Sequence, residues 1–177
     1  MKRLTAKNIV IYGMLIALNV VLTRVGSIRI GAGGTEVVRI GFGGFPIIFA
    51  GILFGPIAGG IVGAIGDIIG MIISPMGAYM PHFTLTAALT GIIPGLIMMN
   101  CKDIACRASI KRLLLAIGVG QIVTSIILVP YFMNTLFGVP FGVSLPPRLI
   151  SQAISIPLYA YATKIILVRI AAALNIS

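Results

Sequence analysis

Asp67 is an isolated charged residue in the middle of a long apolar stretch. It lies in AIGDIIG (residues 64–70), within GILFGPIAGGIVGAIGDIIGMIIS. An aspartate at the centre of a membrane helix costs roughly 3 kcal/mol on insertion scales, so such residues usually face the protein interior and carry function. A carboxylate accepts two parallel hydrogen bonds from an N–H/NH2 edge, such as that of a pterin or a guanidine group. We therefore predict that Asp67 contacts a ligand; the alternative is a structural partner, either an arginine or a helix amide.

Arginine side chains supply the complementary chemistry. Guanidinium groups pair with carboxylates in a two-pronged geometry. Arg148 opens the last apolar segment, in SLPPRLISQ next to two prolines, and we predict that it binds a ligand. Arg24 ends the first apolar segment, where ligand contact and snorkelling to the membrane interface explain it equally well. Arg39 can pair with the nearby Glu36 and is a weaker candidate for the ligand site.

Aromatic and amide side chains lie near the ends of other apolar segments. The uncharged loop SPMGAYMPHFTL contains Tyr79, His82 and Phe83, which can stack on a flat ring or form an aromatic belt at the membrane interface. Asn134 and Gln152 can satisfy either a ligand or a helix end. These side chains, with the acid and the arginines, predict an outward-facing pocket for a small flat ring that carries a carboxylate tail.

No catalytic chemistry is visible in the sequence. The one histidine, His82, has no serine or cysteine nucleophile beside it, and three acidic residues cannot build a carboxylate metal site from two helix pairs. The glycine-rich segment GAGGTEVVRIGFGG lacks the GxxxxGK[ST] pattern of a P-loop. We therefore expect no enzyme activity and no cofactor in this chain. If this protein moves a substrate uphill with the energy of ATP, another subunit must hydrolyse the ATP.

The composition is that of a polytopic membrane protein. The 177 residues are 59% hydrophobic and only 9% charged, whereas a soluble domain is nearer half apolar and about a quarter charged. The formal net charge of +10 does not indicate nucleic-acid binding, because the basic residues lie between apolar blocks and form no patch. Cys101 and Cys106 lie in a basic loop, which we expect to be cytoplasmic and reducing, so we predict two free thiols.

The apolar stretches predict an all-α membrane protein with six transmembrane helices in a single domain, residues 1–177. A spanning helix needs about 20 mainly apolar residues. The second span is short, and Gly55-Pro56 separates it from the third. The predicted spans run roughly from Thr5 to Thr23, Gly43 to Phe54, Pro56 to Ser74, Phe83 to Asn100, Ile110 to Met133 and Pro147 to Leu174.

The distribution of basic residues predicts that both termini are cytoplasmic. With six spans, three basic groups fall on one side, which the positive-inside rule makes cytoplasmic. They are Lys2, Arg3 and Lys7, then Lys102, Arg107, Lys111 and Arg112, then Lys164 and Arg169. The remaining arginines fall on the outer side and depart from the rule, which favours a ligand-binding role; they are Arg24, Arg29, Arg39 and Arg148.

Small residues predict two packing surfaces. In the third span, glycines recur at spacings that let helix backbones approach closely, and we interpret them as packing within the bundle; they are Gly55, Gly59, Gly63, Gly66 and Gly70. The first span is lined by bulky apolar residues apart from Gly13-x-x-x-Ala17. A small groove on a bulky helix is a candidate surface for an external partner.

Three segments resemble a known family. They are RIGFGGFPIIFAGILFGPIAGGIVGAIGDIIGMIISPMGAYMPHFTLTAALTGIIPGL, FMNTLFGVPF and PRLISQAISIPL. They resemble the substrate-binding S components of energy-coupling-factor (ECF) vitamin transporters, most closely the folate branch. Its pattern includes GxLFGP, an A-x-x-D-x-x-G core and P-x-G-x-Y-x-P-x-FTL-x-AAL-x-G. The resemblance covers nearly the whole chain.

The resemblance implies a six-helix protein in a prokaryotic cell membrane that binds a vitamin, here folate, with high affinity from outside. It implies a transmembrane coupling subunit and two cytoplasmic ATPase subunits as partners. The family's AxxxA docking motif corresponds to Gly13 and Ala17, with glycine in place of the first alanine. The positions implied for the folate site are those of Arg24, Asp67, Asn134 and Arg148.

Three other functions stay open. The ligand can be another vitamin, such as pantothenate. The protein can be a stand-alone proton-coupled carrier, although such carriers normally have several ionisable residues within their spans. A purely structural membrane subunit is the third alternative, and it leaves the cost of a charged residue in the membrane without explanation.

Overall fold

The computed structural model describes residues 6–24, 27–32, 35–74, 79–101 and 103–173, of which residues 27–32 and 35–40 are described through their backbone. In chain order the elements are α1 (Ala6–Arg24), β1 (Ser27–Ala32), β2 (Thr35–Gly41), α2 (Gly44–Phe54), α3 (Pro56–Ile73), α4 (Pro81–Met98), α5 (Ile104–Arg107), α6 (Ile110–Gln121), a π-helical segment (Ile122–Leu128), α7 (Val129–Phe137) and α8 (Phe141–Ala173).

The helices agree closely with the predicted spans. Within the described residues, four helical stretches are long and apolar enough to cross a membrane: Pro56–Ile73, Pro81–Met98, Ile110–Phe137 and Phe141–Ile170. Two shorter apolar helices, Asn8–Arg24 and Gly44–Phe54, complete the six predicted segments. The 11 residues of α2 extend about 16 Å, well short of a bilayer's hydrocarbon core. Since α2 is apolar on all sides, it can be buried among its neighbours, and it is buried from Pro46 to Ile52.

Between α1 and α2 the chain forms an antiparallel hairpin, an element that the predicted all-α fold does not include. Strands β1 and β2 pair with Ser27 opposite Gly41 and Ile30 opposite Val38, and the register shifts between Ile30 and Gly31. The sequences SIRI and TEVVRI, on either side of the glycine-rich GAGG, mix β-branched with polar residues, which favours two short strands over a loop. The hairpin lies at the end of the bundle where α1 ends and α2 begins, which we call the hairpin end.

Glycines bring α2, α3 and α4 together backbone to backbone, as the glycine spacing predicts. A Cβ built on Gly59 would lie 2.7 Å from the carbonyl oxygen of Gly91 and 2.8 Å from the Cα of Gly51. A Cβ built on Gly63 would lie closer still to the carbonyl oxygen of Ala87. Gly55 links α2 to α3 with φ of 100°, in the region that favours glycine. Close backbone contact supplies the van der Waals packing that holds helices together where the hydrophobic effect is absent.

We expect Gly91→Ala to lower the thermal unfolding midpoint of the detergent-purified protein. The added Cβ would lie 2.6 Å from the backbone of Gly59, and overpacking of this kind costs about 1–3 kcal/mol. Gly118→Ala is the matched control, because a Cβ at this glycine of α6 meets no atom within 4 Å. Alanine there is expected to be neutral or slightly stabilising. An unchanged midpoint for Gly91→Ala would contradict the packing role.

The opposite end of the bundle contains a disulfide between Cys101 and Cys106, so the prediction of two free thiols is wrong in this structure. The short helix α5 turns the loop back on itself and brings the two Cα atoms to 5.6 Å, within disulfide range. We call this the disulfide end. Arg107 extends from α5 to the C-terminus of α2, where its Nη1 donates to the carbonyl oxygen of Leu53 at 2.9 Å. A cation at this position also complements the helix dipole.

A π-helical segment interrupts the fifth span. The backbone N–H of Val129 bonds the carbonyl of Thr124, five residues back, and Pro130 follows without an N–H of its own. A proline disturbs the i→i−4 ladder of the preceding turn, which accounts for a widened turn at this place. The widened turn follows the buried side chain of Gln121, whose Oε1 accepts a hydrogen bond from Ser125 at 2.9 Å.

Candidate functional site

The predicted ligand-binding residues all belong to elements that meet at the hairpin end. Because successive helices run antiparallel, the end of α1, the hairpin, the end of α3, the start of α4, the end of α7 and the start of α8 share this end. They carry, in that order, Arg24, Arg39, Asp67, the group Tyr79, His82 and Phe83, then Asn134 and Arg148. Tyr159 ties α8 to the hairpin by donating to the carbonyl oxygen of Gly41 at 2.5 Å.

Asp67 lies inside the bundle and is held by a neighbouring helix. It precedes the end of α3 by six residues, which places it about 9 Å below that end. Its carboxylate is half-buried, and Oδ2 accepts a hydrogen bond from the hydroxyl of Thr84 on α4 at 2.8 Å. The same hydroxyl lies 3.1 Å from the hydroxyl of Tyr79. The structural partner of Asp67 is therefore a threonine, which no sequence argument predicted.

Arg24 packs on the same face of α3 as Asp67. Its guanidinium group lies over Gly70, where a Cβ would be 3.2 Å from one terminal nitrogen. Gly70 is three residues after Asp67, so the two are neighbours on the helix surface. One turn earlier in α1, the buried side chain of Asn19 donates from Nδ2 to the carbonyl oxygen of Gly43 at 2.6 Å. This bond fixes the end of α1 against the start of α2.

Aromatic rings from α4 and α7 face one another at the hairpin end. His82 packs against Phe132 with ring centroids 5.0 Å apart, and Phe83 is stacked near Phe137 at 6.5 Å. Tyr79, just before α4, is 50% exposed. The two phenylalanines of α7 were absent from the predicted site. They lie in FMNTLFGVPF, a segment that carries the family resemblance, and their ring partners are on another helix.

Asn134 closes the turn between α7 and α8. Its Nδ2 donates to the carbonyl oxygen of Val139 at 3.2 Å, and Gly138 ends α7 in the left-handed conformation with φ of 64°. Of the two roles predicted for Asn134, a ligand contact or a helix end, the amide nitrogen therefore serves the helix end. By ordering this turn, Asn134 also sets where α8 begins.

Arg148 lies on a polar face of α8. It is half-buried, with Ser144 one turn before it and Gln152 one turn after it. Ser144 Oγ and Gln152 Oε1 are buried without a hydrogen-bond partner among the described residues. Buried polar atoms in an apolar bundle need a partner, so these two atoms are available to a polar ligand. The sequence signal was the recurrence of polar residues every three or four positions, in Ser144, Arg148, Ser151, Gln152, Ser155 and Tyr159.

Two further predictions concern the hairpin and metal binding. The backbone of Arg39 in β2 pairs with Arg29 in β1, and the Arg39 side chain lies outside the described residues.

Within the described part of the chain, no group of three or more His, Cys, Asp or Glu side chains is arranged to hold a metal ion.

The predicted partner surface on α1 is open. Gly13 and Ala17 are exposed, and a Cβ at Gly13 would meet no atom within 4 Å. Val10, Met14 and Val21 are also exposed on this helix. The small residues therefore form a shallow groove between bulky apolar side chains on an exposed face of α1.

Comparisons with known proteins agree with this architecture. Residues 3–172 match the family model described as the S component of ECF-type riboflavin transporters. The folate transporter FolT of Clostridium novyi (strain NT) is 38% identical over 154 residues, which cover 86% of this chain and 84% of that protein.

A solved structure extends the likeness to three dimensions. The crystal structure of FolT bound with folic acid matches with a TM-score of 0.73 and 31% identity, covering 90% of each chain. Taken with the apolar helices, these likenesses identify a multi-pass membrane transport protein and not an enzyme. The chain belongs to the family of ECF-type riboflavin transporter S components.

Proposed function

We propose that this chain is the S component of an ECF-type transporter that binds folate with high affinity from outside the cell. The main observation behind this proposal is that Asp67 is half-buried and that its Oδ2 accepts a hydrogen bond from Thr84. Asp67 lies at the hairpin end, as do Arg24 and Arg148, which depart from the positive-inside rule. The folate names of a 38% identical relative and of the matching crystal structure support this ligand.

The chemistry of the ligand edge favours folate over riboflavin, the vitamin named by the family model. A carboxylate offers only acceptors. The pterin of folate presents an N–H beside an NH2, which are two adjacent donors. The isoalloxazine of riboflavin presents a single N–H between two carbonyl oxygens, and those oxygens would face the Asp67 carboxylate without a proton between them. Facing acceptors are repulsive, so the acid at position 67 selects a ring with a donor edge.

The tail of the ligand is assigned to the arginines. Arg148 is half-buried on the polar face of α8, and Arg24 lies over Gly70 near Asp67. We propose that Arg148, with Arg24, meets the carboxylates of the glutamate moiety, and that Tyr79 and Phe83 flank the ring. Asn134, His82 and Arg39 complete the proposed site as residues around its mouth.

The orientation and partners follow the positive-inside rule and the family. We propose that the disulfide end, with Arg107, Lys111 and Arg112, is cytoplasmic, and that both termini lie on that side of a prokaryotic cell membrane. The groove at Gly13 and Ala17 would dock to a transmembrane coupling subunit, and two cytoplasmic ATPase subunits would supply the energy. This chain would itself hold no cofactor.

Calorimetric titration of the detergent-purified protein tests the ligand. We expect tight one-to-one binding of folate, and no comparable binding of riboflavin, pantothenate or thiamine. Tight binding of riboflavin without folate would favour the vitamin named by the family model. No saturable binding of any vitamin would favour a structural subunit.

Arg148→Ala tests the assignment of the tail. We expect it to weaken folate binding about tenfold or more, the scale of a lost hydrogen bond to a charged group. Its affinity for pteroic acid, which lacks the glutamate moiety, should be unchanged. Arg169→Ala is the matched control, because Arg169 is exposed near the other end of α8. Equal losses for folate and pteroic acid would place Arg148 elsewhere in the site.

A further inference from the structure

We infer that Thr84 is a positioning residue for Asp67 and that the hydroxyl of Tyr79 donates a hydrogen bond to Thr84. The hydrogen-bonded chain Tyr79–Thr84–Asp67 then makes the ligand site accept an edge of hydrogen-bond donors and reject an edge of acceptors. This inference rests on the proposed function. It adds a threonine to the site and gives Tyr79 a second role beside its ring.

The directions of the hydrogen bonds follow from counting protons. A threonine hydroxyl has one proton, and the Asp67 carboxylate has none to give. The 2.8 Å contact between Thr84 Oγ1 and Asp67 Oδ2 therefore uses the threonine proton. The 3.1 Å contact between the hydroxyls of Thr84 and Tyr79 must then use the tyrosine proton. Tyr79 donates to Thr84, and Thr84 donates to Asp67.

Other threonines in the bundle donate to the backbone of their own helix and not to a side chain of another helix. Thr86 and Thr90 in the same helix donate to the carbonyl oxygens four residues earlier, at 2.8 and 2.9 Å. Thr124 and Thr135 do the same elsewhere in the bundle. Back-bonding of this kind is the usual solution for a threonine in an apolar helix. Thr84 instead directs its proton across to α3.

The arrangement fixes how the acid meets a ligand. Because Oδ2 already accepts the Thr84 proton, the carboxylate plane is held by α4, and the remaining lone pairs of both oxygens are available as acceptors. Hydrogen bonds in a chain polarise one another, so the tyrosine strengthens the bond that holds the acid. A donor edge on the ligand is thereby favoured, and an acceptor edge is rejected.

Thr84→Val provides the main test, since valine keeps the shape and removes the hydroxyl. We expect about a tenfold loss of folate affinity by calorimetry, the size of one hydrogen bond to a charged group. Thr84→Ser should restore most of the affinity. Thr90→Val is the matched control, because Thr90 lies in the same helix and bonds only the backbone. It should bind folate like the wild type, and thermal unfolding should confirm that all three variants fold.

Two additional readouts separate positioning from packing. Affinity for p-aminobenzoylglutamate, the part of folate without the pterin, should be the same for Thr84→Val and the wild type. In an Asp67→Asn background, Thr84→Val should cause little further loss of folate affinity, because the two residues act through one contact. Tyr79→Phe keeps the ring and should lose two- to threefold, roughly the effect of one weak neutral hydrogen bond.

The outcomes distinguish this inference from the function on which it rests. If the wild type binds folate and Thr84→Val binds it equally well, the inference is overturned and the folate function stands. A full tenfold loss for Thr84→Val in the Asp67→Asn background, or an equal loss for p-aminobenzoylglutamate, also overturns it. If the wild type binds no folate, both the proposed function and the inference fall.

Discussion

Asp67→Asn is expected to lower folate affinity by about a hundredfold. Asparagine replaces one acceptor oxygen with an NH2 donor, which would face a donor of the pterin, and it removes the charge that strengthens the other bond. Hydrogen bonds to charged groups are worth roughly 1.5–3 kcal/mol each, so a loss near 3 kcal/mol corresponds to about two decades in Kd. Calorimetric titration of the purified variant measures this loss directly.

The thermal midpoint of Asp67→Asn should not fall below that of the wild type. A half-buried carboxylate in an apolar span is costly, and the amide oxygen of asparagine can still accept a hydrogen bond from Thr84. The combination of weaker binding with intact or improved stability is therefore diagnostic of a functional acid. Asp103→Asn is the matched control, because Asp103 is exposed at the disulfide end. Wild-type affinity in Asp67→Asn would remove the acid from the ligand site.

Gly13→Leu is expected to abolish folate uptake in cells that contain the whole transporter, while leaving folate binding unchanged. A leucine would fill the groove formed with Ala17, where a Cβ now meets nothing within 4 Å. Filling the groove would prevent close approach of a partner helix. Because the groove is on the outer face of α1, away from Asp67, the ligand site should keep its affinity. Uptake of labelled folate and co-purification with the coupling subunit are the two measurements.

The control for this prediction also separates transporter classes. Gly118→Leu adds the same side chain to another glycine that has free space around it, so it should leave uptake intact. If Gly13→Leu cells still accumulate folate, and do so without any coupling subunit, a stand-alone carrier is favoured. If Gly13→Leu instead weakens folate binding by the purified protein, α1 contributes to the ligand site and not to docking.

The chemistry at the disulfide end bears on the proposed orientation. Cytoplasm is reducing, so on that side the Cys101–Cys106 bond would be exposed to thiol reductants. The attachment of the loop does not depend on either sulfur, because Arg107 bonds the carbonyls of Leu53 and Cys101 through its own guanidinium group. The loop therefore has a second means of holding the C-terminus of α2.

Much of the fold followed from local features of the sequence. Apolar runs of membrane length, Gly-Pro at residues 55–56 and the glycine spacing of α3 were enough to predict six helices and close packing between them. These features act within one segment, so they can be read without knowing the neighbours. The hairpin does not follow from the sequence in the same way, because the alternation in SIRI and TEVVRI is short and arginines are equally common in loops between spans.

The candidate site, like the fold, contains some residues that the sequence predicts and others that it does not. The solitary acid at position 67 and the arginines at positions 24 and 148 are visible from the sequence, because a charge in an apolar helix is costly wherever the helix packs. Their assignment to folate stays a prediction. Thr84, Phe132 and Phe137 were not found, since a threonine or phenylalanine is unremarkable in an apolar helix until a partner is known. Their partners lie on another helix, 17 residues away in the case of Thr84 and Asp67.

The amino-acid sequence alone was sufficient for the membrane class, the six helices and the family, because hydropathy, glycine spacing and motifs are properties of single segments. Only the tertiary structure decided which groups meet. It joined Asp67 to Thr84 and Tyr79, placed the guanidinium of Arg24 over Gly70 and brought Cys101 and Cys106 together. These contacts depend on the rotation and depth of one element against another. Those quantities are set by packing across the whole bundle, and no single segment encodes them.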